Sequence, residues 1–419
     1  QTGRWEQVRH LVIFPMYRET AAVVRESFRA LAASNYPKER LLVVLATEER
    51  GGHADVETAA ALAAEFGPQF GAFIVTVHPA EIPGELPGKG SNETWAAKVA
   101  QRELVDRRQI PYDDVLVSVF DIDTRIAPEY FGILTHRFLT APHPLRSSYQ
   151  PTPLFTNNAY AVSLFARLIG FSATFWQLMQ QGRPEQLVTF SSHALPFRAL
   201  VEVGFWQTDI VAEDSRIFFQ CLVHYRGDWR TVPIVYPVFM DAVTGHSFFG
   251  GLRNLYRQQR RWAWGVENFA YVVDAFRKTP GIPKKTKRFW ILRTFDGFFA
   301  WSTSSFVIFF FGWLPNLLGD ATFRVSVLSY NLPRVTGTLL NLSSLGIVVS
   351  AALALVLMPR GTQRVRWYRY VAYLIQWLLM PLTFIVFGSI PALEAQTRLM
   401  LGGRFRLGFW KTPKRATNT

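Results

Sequence analysis

Val115-Leu116-Val117-Ser118-Val119-Phe120-Asp121-Ile122-Asp123 runs from a nearly unbroken apolar stretch straight into two acids placed two residues apart. A short apolar run that ends on charge reads as a strand buried on both faces, and such strands belong to parallel sheets covered by helices. The chain upstream keeps the same rhythm. Residues 11–14, 41–45 and 73–77 read as further apolar strands, and residues 20–34, 54–65 and 95–108 read as helices. This alternation argues for an α/β domain with a mostly parallel sheet and helices on both faces. Ligands of such sheets collect at the carboxyl ends of the strands. Phe14-Pro15-Met16-Tyr17-Arg18-Glu19, Thr47-Glu48-Glu49 and Asp121-Ile122-Asp123 all fall there.

The composition changes after Pro280. Residues 289–313, 335–358 and 371–390 each approach the ~20 apolar residues that span a bilayer, although Asp296 and Pro381 interrupt two of them. The formal charge is +14, and the basic residues flank these stretches. Lys284, Lys285, Lys287 and Arg288 precede the first; Arg360, Arg364, Arg366 and Arg369 lie between the later two; Arg404, Arg406, Lys411, Lys414 and Arg415 follow the last. Cations placed this way suit lipid headgroups and the positive-inside bias, and argue against a nucleic-acid partner. A third complete span would carry the basic tail outside, so the third segment is expected to be re-entrant at Pro381 or to break the charge rule. Cys221 is the only cysteine. It excludes an intrachain disulfide and a cysteine metal site, and fits a catalytic part facing a reducing cytoplasm.

Three short strings carry chemistry. Asp121 and Asp123, two apart on an extended segment, would face one divalent metal, and Mg²⁺ or Mn²⁺ needs only one or two protein carboxylates when phosphates complete its shell. Glu213-Asp214 precedes a helical run, where a carboxylate is rigidly aimed and suits a general base; helix capping is the plainer reading. Gln258-Gln259-Arg260-Arg261-Trp262 pairs a guanidinium that grips phosphate with an indole that covers a sugar or base. Interfacial anchoring is its plainer reading. Lys89, in Pro87-Gly88-Lys89-Gly90-Ser91-Asn92 ahead of a helix, suits a diphosphate without Walker spacing.

Taken in order, these strings resemble the membrane-embedded family 2 glycosyltransferases of the cellulose, chitin and hyaluronan synthase type, from Val12 to Lys414. The resemblance implies a GT-A-type nucleotide-sugar-binding domain. Pro15, Tyr17 and Glu19 stand in the first-strand motif that contacts the nucleotide; Lys89 and Asn92 match the Gly-Lys-x-x-Asn loop; Asp121 and Asp123 match the Asp-x-Asp that binds nucleotide sugar and metal. Asp214 matches the catalytic base, with Glu213 beside it toward the acceptor. Gln258, Arg261 and Trp262 match QxxRW. Ser192 and His193, with Ala194 and Arg198, align with the acceptor-end segment, and Gln150-Pro151 and Phe155 with the stretch before it. Phe409 to Lys414 resembles the gating-loop pattern FxVTxK, with Lys411 in place of Val. The Asp usual after the second strand is replaced by Thr47-Glu48-Glu49-Arg50, which leaves Glu48 as the nucleobase contact. The acceptor segment also lacks the cysteine of cellulose synthases.

The expected organisation is therefore a cytoplasmic glycosyltransferase domain over residues 1–245 and an interfacial segment with QxxRW over 246–283. Membrane helices follow over 284–395, and a gating-loop-like basic tail over 396–419. The expected activity is inverting, metal-dependent transfer from a UDP-sugar to a growing polysaccharide by a multi-pass enzyme of the plasma (inner) membrane. The expected partners are the nucleotide-sugar donor, a glycan or lipid-linked acceptor, and membrane lipids. A single transfer to a lipid carrier and a non-enzymatic transporter or scaffold are the alternatives.

Overall fold

The computed structural model describes residues 4–311, 313–359 and 366–408. Arg360, Arg364 and the gate-like Phe409 to Lys414 segment lie outside the described residues. The eight described strands form one sheet: β1 (Arg9–Pro15), β2 (Leu41–Glu48), β3 (Ala72–His78), β4 (Val115–Val119), β5 (Arg125–Ile126), β6 (Ser147–Leu154), β7 (Ala194–Pro196) and β8 (Arg230–Phe239). Their order is β3-β2-β1-β4-β7-β6-β8-β5. The first four pair in parallel. Beyond β4 the sheet is mixed: β7 runs antiparallel to β4 and β6, β6 and β8 are parallel, and β5 is antiparallel to β8.

Alternation along the strands builds two cores. Leu11, Ile13, Leu42, Val44, Val117 and Val119 point to one face. They pack there on helices α3 (Lys89–Ala100), α6 (Phe197–Glu202), α7 (Glu213–His224) and α9 (Glu267–Lys278). Val12, Phe14, Val43 and Leu45 point to the other. They meet α1 (Ala21–Ala32), α2 (His53–Phe66) and α4 (Tyr130–Thr140). Each fully buried side chain of this size contributes about 1.5–3 kcal/mol, so a sheet covered on both faces is a stiff base for loops at its strand ends.

α5 (Leu164–Gln181) lies along β6, with Thr174 donating to Pro153 O at 3.1 Å and Gln181 donating to Gln150 O at 3.1 Å. α8 (Phe248–Ala263) carries Gln258 to Trp262 and leads into α9. α10 (Lys284–Phe311) follows, then the short α11 (Leu314–Leu318) and α12 (Ala321–Arg324), α13 (Val327–Leu357), α14 (Trp367–Ile375), α15 (Met380–Phe384) and α16 (Ile390–Leu401).

Two helical stretches of the described residues, Val327–Leu357 and Trp367–Leu401, are long and apolar enough to cross a membrane. They hold the third of the expected spans and all of the second but Met358. The expected first span lies in α10, which is not one of them; it carries Lys284, Lys285, Lys287, Arg288, Arg293 and Asp296 and is docked at its start to the sheet domain. Trp290 packs there against Phe218 and Phe219, with ring centroids 4.9 and 5.8 Å apart. The Trp367–Leu401 stretch is irregular. A 3₁₀ turn at Gln376–Leu379 precedes Pro381 and a π turn at Ile385–Ser389 precedes Pro391. Proline lacks the amide a regular helix needs and crowds the preceding turn, which accounts for the breaks.

Trp290→Ala should cost about 3–5 kcal/mol, the usual range for emptying a large aromatic site. Denaturant unfolding of the full chain in detergent would read this out; a loss under about 1 kcal/mol would contradict the docking of α10 on the sheet.

Candidate active site

β4 stops at Val119, and Phe120 N donates to Ile13 O at 3.0 Å. The chain then turns, with Thr124 N donating to Asp121 O at 2.8 Å. Asp121-Ile122-Asp123 is thus a turn and not the extended segment expected, and its two carboxylates meet different partners. Asp121 Oδ1 lies 3.0 Å from Lys89 Nζ. Asp123 Oδ2 accepts from Asp241 N at 3.1 Å, at the end of β8.

Lys89 is the first residue of α3, which begins well before the expected helix start at residue 95. The helix end aims its ammonium into a ring of acids: Asp121 at 3.0 Å, Glu93 at 3.3 Å and Glu213 at 3.6 Å. Gly90 permits this approach. A Cβ there would stand 3.0 Å from Glu213 Cβ and 3.1 Å from Gln207 O, tighter than packed side chains accept. Burial opposes the charge on Lys89, but Asp121, Glu93, Glu213 and Asp214 outweigh it and raise its pKa well above the usual lysine value. Glu93 is fully buried, and neither carboxylate oxygen has a hydrogen-bond partner. Its burial pushes its pKa well up, against the pull of Lys89.

Glu213 and Asp214 open α7, as the sequence placed them. Burial pushes Glu213 up to about 7, with Lys89 opposing and Asp214 reinforcing the shift. Burial also raises Asp214, against Lys89 and with Asp121. Asp214 Oδ1 accepts from Ser215 N at 2.8 Å. The loop ahead of the pair is pinned from α9: Glu267 Oε1 accepts from Val211 N at 3.2 Å and from Ala212 N at 3.1 Å. Arg216, one turn further on, donates to Asn268 Oδ1 and Gln207 Oε1, both at 2.6 Å.

Arg261 lies on α8, close enough for its charge to lower the pKa of both Glu213 and Asp214, against the larger raising effect of burial. Its Nε is buried with no hydrogen-bond partner. Trp262 stands beside Phe155, ring centroids 5.9 Å apart, and Gln258 is buried on the same helix.

At the ends of β1 and β2, Pro15 pairs with Ala46, and Tyr17 N donates to Glu19 Oε2 at 2.8 Å. Glu48 is buried and held by Arg50 through two hydrogen bonds, one of them 3.0 Å from Nη2. The Arg50 guanidinium also lies 4.1 Å from the Tyr17 ring centre, which ties the end of β1 to that of β2. Asn92 donates to Ala46 O at 2.8 Å, tying α3 to the same strand end. Ser192 is fully buried, with φ of 68°, its hydroxyl 3.5 Å from that of Thr124. His193 is also fully buried and both its nitrogens are used, Nδ1 at 2.9 Å from Phe190 O and Nε2 accepting from Trp206 Nε1 at 3.3 Å. Burial holds it down at about 3. It therefore stays neutral and braces the segment from within, where an acceptor contact had been expected.

Four carboxylates face one ammonium, so full ionisation would leave three negative charges, of which Arg261 offsets one. Such a site shares protons or draws in a cation. Asp121 and Asp123 offer the hard oxygens that Mg²⁺ or Mn²⁺ takes, but no group of three or more His, Cys, Asp or Glu among the described residues is arranged to hold a metal ion. With their carboxylates turned to different partners, the two offer such an ion one or two oxygens at most, so most of its shell would have to come from a bound phosphate.

No protein-family model matches the chain, nor does any curated protein. Among solved structures the chain is similar to the mannosyltransferase PcManGT from Pyrobaculum calidifontis in complex with GDP-Man and Mn²⁺. That similarity has 18% identity and a TM-score of 0.48, over 89% of this chain and 87% of that one. It is also similar to residues 1–349 of S. aureus TarS in complex with UDP-GlcNAc, at 11% identity and a TM-score of 0.43, over 95% of this chain and 93% of that one. Likeness of this degree carries no functional argument, which rests on the site.

Lys89→Met should destabilise the fold by about 3–5 kcal/mol at pH 8, because it leaves buried carboxylates unpaired. The loss should shrink toward pH 5.5, where the raised groups take up protons, and melting curves at the two pH values would show it. An equal loss at both would contradict the shared-charge account.

Proposed function

We propose that the protein transfers a sugar, with inversion, from a nucleoside diphosphate donor at a membrane, and that UDP-linked sugars are its donors. The convergence of Lys89, Asp121, Glu213, Asp214 and Arg261 at the carboxyl ends of β1 and β4 carries this reading. Glycosyl transfer needs a base on the acceptor side and positive charge on the leaving-group side.

Asp214 takes the proton of the acceptor hydroxyl as that oxygen bonds to the anomeric carbon. The bond from that carbon to the diphosphate breaks on the opposite face, and its electron pair leaves on the diphosphate. Lys89 and Arg261 offset the charge that develops there, and Lys89 is already fixed by its three carboxylate partners. A Mg²⁺ or Mn²⁺ ion at Asp121 and Asp123 would supply further Lewis-acid stabilisation of the leaving group. Tyr17, Glu19 and the Glu48–Arg50 pair line the nucleotide side; Trp262 covers the sugar and Ser192 stands on the acceptor side. The two apolar stretches in α13 and α14–α16, with their basic flanks, support a bilayer setting. We assign the product to a growing polysaccharide. Radiolabelled sugar in a high-mass polymer supports that assignment, and a single sugar on an extractable lipid moves it to a lipid carrier.

Asp214→Asn should lower turnover by about 10²–10⁴-fold while nucleotide affinity stays within a few-fold, as read by isothermal calorimetry. Retained turnover would remove Asp214 from the role. The base works ionised and its pKa is raised, so it is lost to protonation as pH falls. kcat/KM should therefore hold its plateau while Asp214 is ionised and decline as acidification protonates it, at a higher pH than an ordinary aspartate would require. A rate that rises on acidification would contradict the assignment.

A further inference from the structure

Glu394 sits on α16, in the stretch long and apolar enough to cross a membrane, yet it faces α8. Three donors converge on its carboxylate. Tyr256 OH donates to Oε2 at 2.6 Å, and Arg260 Nη1 and Arg398 Nε each donate to Oε1 at 2.6 Å. Tyr256 and Arg260 are one turn apart on α8, so both ends of that turn are tied to one acid. Arg260 is also the residue before Arg261. Successive helical residues project about 100° apart, so fixing Arg260 against α16 also fixes the direction in which Arg261 leaves the helix, on the same turn whose Ala263 packs with Val211 ahead of the acidic pair.

The contact is braced on two further sides. Val211, two residues before Glu213, shares a buried apolar cluster with Ala263, Trp264, Ala392 and Ala395, which joins the loop of the acidic pair to α16. α16 and the π turn before it are in turn held to α10, through Gln396 Nε2 to Phe298 O at 2.9 Å and Ser389 Oγ to Trp301 O at 3.0 Å. A surface ion pair would be worth little. The Arg260–Glu394 pair is roughly three-quarters buried and Arg398 about two-thirds, and the carboxylate takes three charge-assisted bonds from packed helices.

We infer that Glu394 is a positioning residue: from the α16 helix it orients Arg261 toward the leaving diphosphate, coupling the apolar helices to the site. The inference rests on the glycosyl-transfer reading. It also gives Arg260 a role distinct from that of Arg261, since Arg260 is spent on the helix contact and Arg261 is left for the ligand.

The test uses the full chain in lipid nanodiscs, with UDP and GDP binding measured by calorimetry in the presence of Mn²⁺. Glu394→Gln should weaken the tighter nucleotide by about fivefold or more, with the melting temperature near that of the parent. Glu394→Asp, which keeps the charge, should recover most of the affinity. In an Arg261→Met background Glu394→Gln should add less than twofold, because the group it orients is gone. Unchanged affinity in Glu394→Gln, or an equal loss with and without Arg261, would overturn the role while leaving the glycosyl-transfer reading intact. If Glu394→Gln does not fold, Tyr256→Phe replaces it, with about a twofold loss expected only when Arg261 is present, and a loss independent of Arg261 overturning the role. A parent chain that binds neither nucleotide would overturn both the role and the reading beneath it.

Discussion

The ammonium of Lys89 among Asp121, Glu93 and Glu213 is the contact on which the site depends. Without a cation at that point, the end of β4, the start of α3 and the start of α7 would bring like charges together in a buried space, and the elements could not approach as closely as they do. Gly90 belongs to the same constraint, because a Cβ there would stand 3.0 Å from Glu213 Cβ and require the neighbours to give by a few tenths of an ångström. The charge balance remains short of neutral even so. Burial, reinforced by the neighbouring carboxylates, pushes Glu213 up to about 7 and raises Asp214 above the usual aspartate value.

Around this centre the supports come from elements far along the chain. Glu267 fixes the peptide groups ahead of Glu213, and Asn268 and Gln207 fix Arg216 one turn beyond. Glu394 takes Arg260 out of competition for the site. The acidic pair is therefore held from α9 and α16 and not only by its own helix. A base aimed at a hydroxyl needs that kind of external fixing, since a misplacement of about 1 Å costs roughly two orders of magnitude in rate.

The parallel half of the sheet was legible because β1, β2 and β4 are buried on both faces and so read as short apolar runs. The mixed half was not. β6 and β8 carry Pro151, Pro153, Pro233 and Pro237, β8 has a positive φ at Val235, and β7 spans only Ala194–Pro196. Their pairing is set by tertiary contacts that leave no periodic signal. The start of α3 was hidden for a related reason, since Gly-Lys-Gly-Ser-Asn has weak helix propensity and is helical because it packs on the acids. Asp121, Glu213 and Lys89 were named from the chain alone, and the structure sets the Lys89 ammonium 3.0 Å from Asp121 and 3.6 Å from Glu213. Glu93 and Glu394 were not, because a glutamate in a helical stretch reads as solvated surface until its neighbours are known. His193 was set on the acceptor side by the resemblance alone, while the residue itself read first as a structural histidine, and its burial against Trp206 fits the structural reading.

Nucleotide release from a panel of sugar donors tests the central claim most directly. The full chain in nanodiscs, supplied with Mn²⁺ or Mg²⁺, would be incubated with UDP- and GDP-linked sugars, and free nucleoside diphosphate quantified with and without chelator. The account predicts release from at least one donor that chelator suppresses and that Asp121→Asn removes. Absence of release from every donor, or release indifferent to both chelator and Asp121, would contradict it.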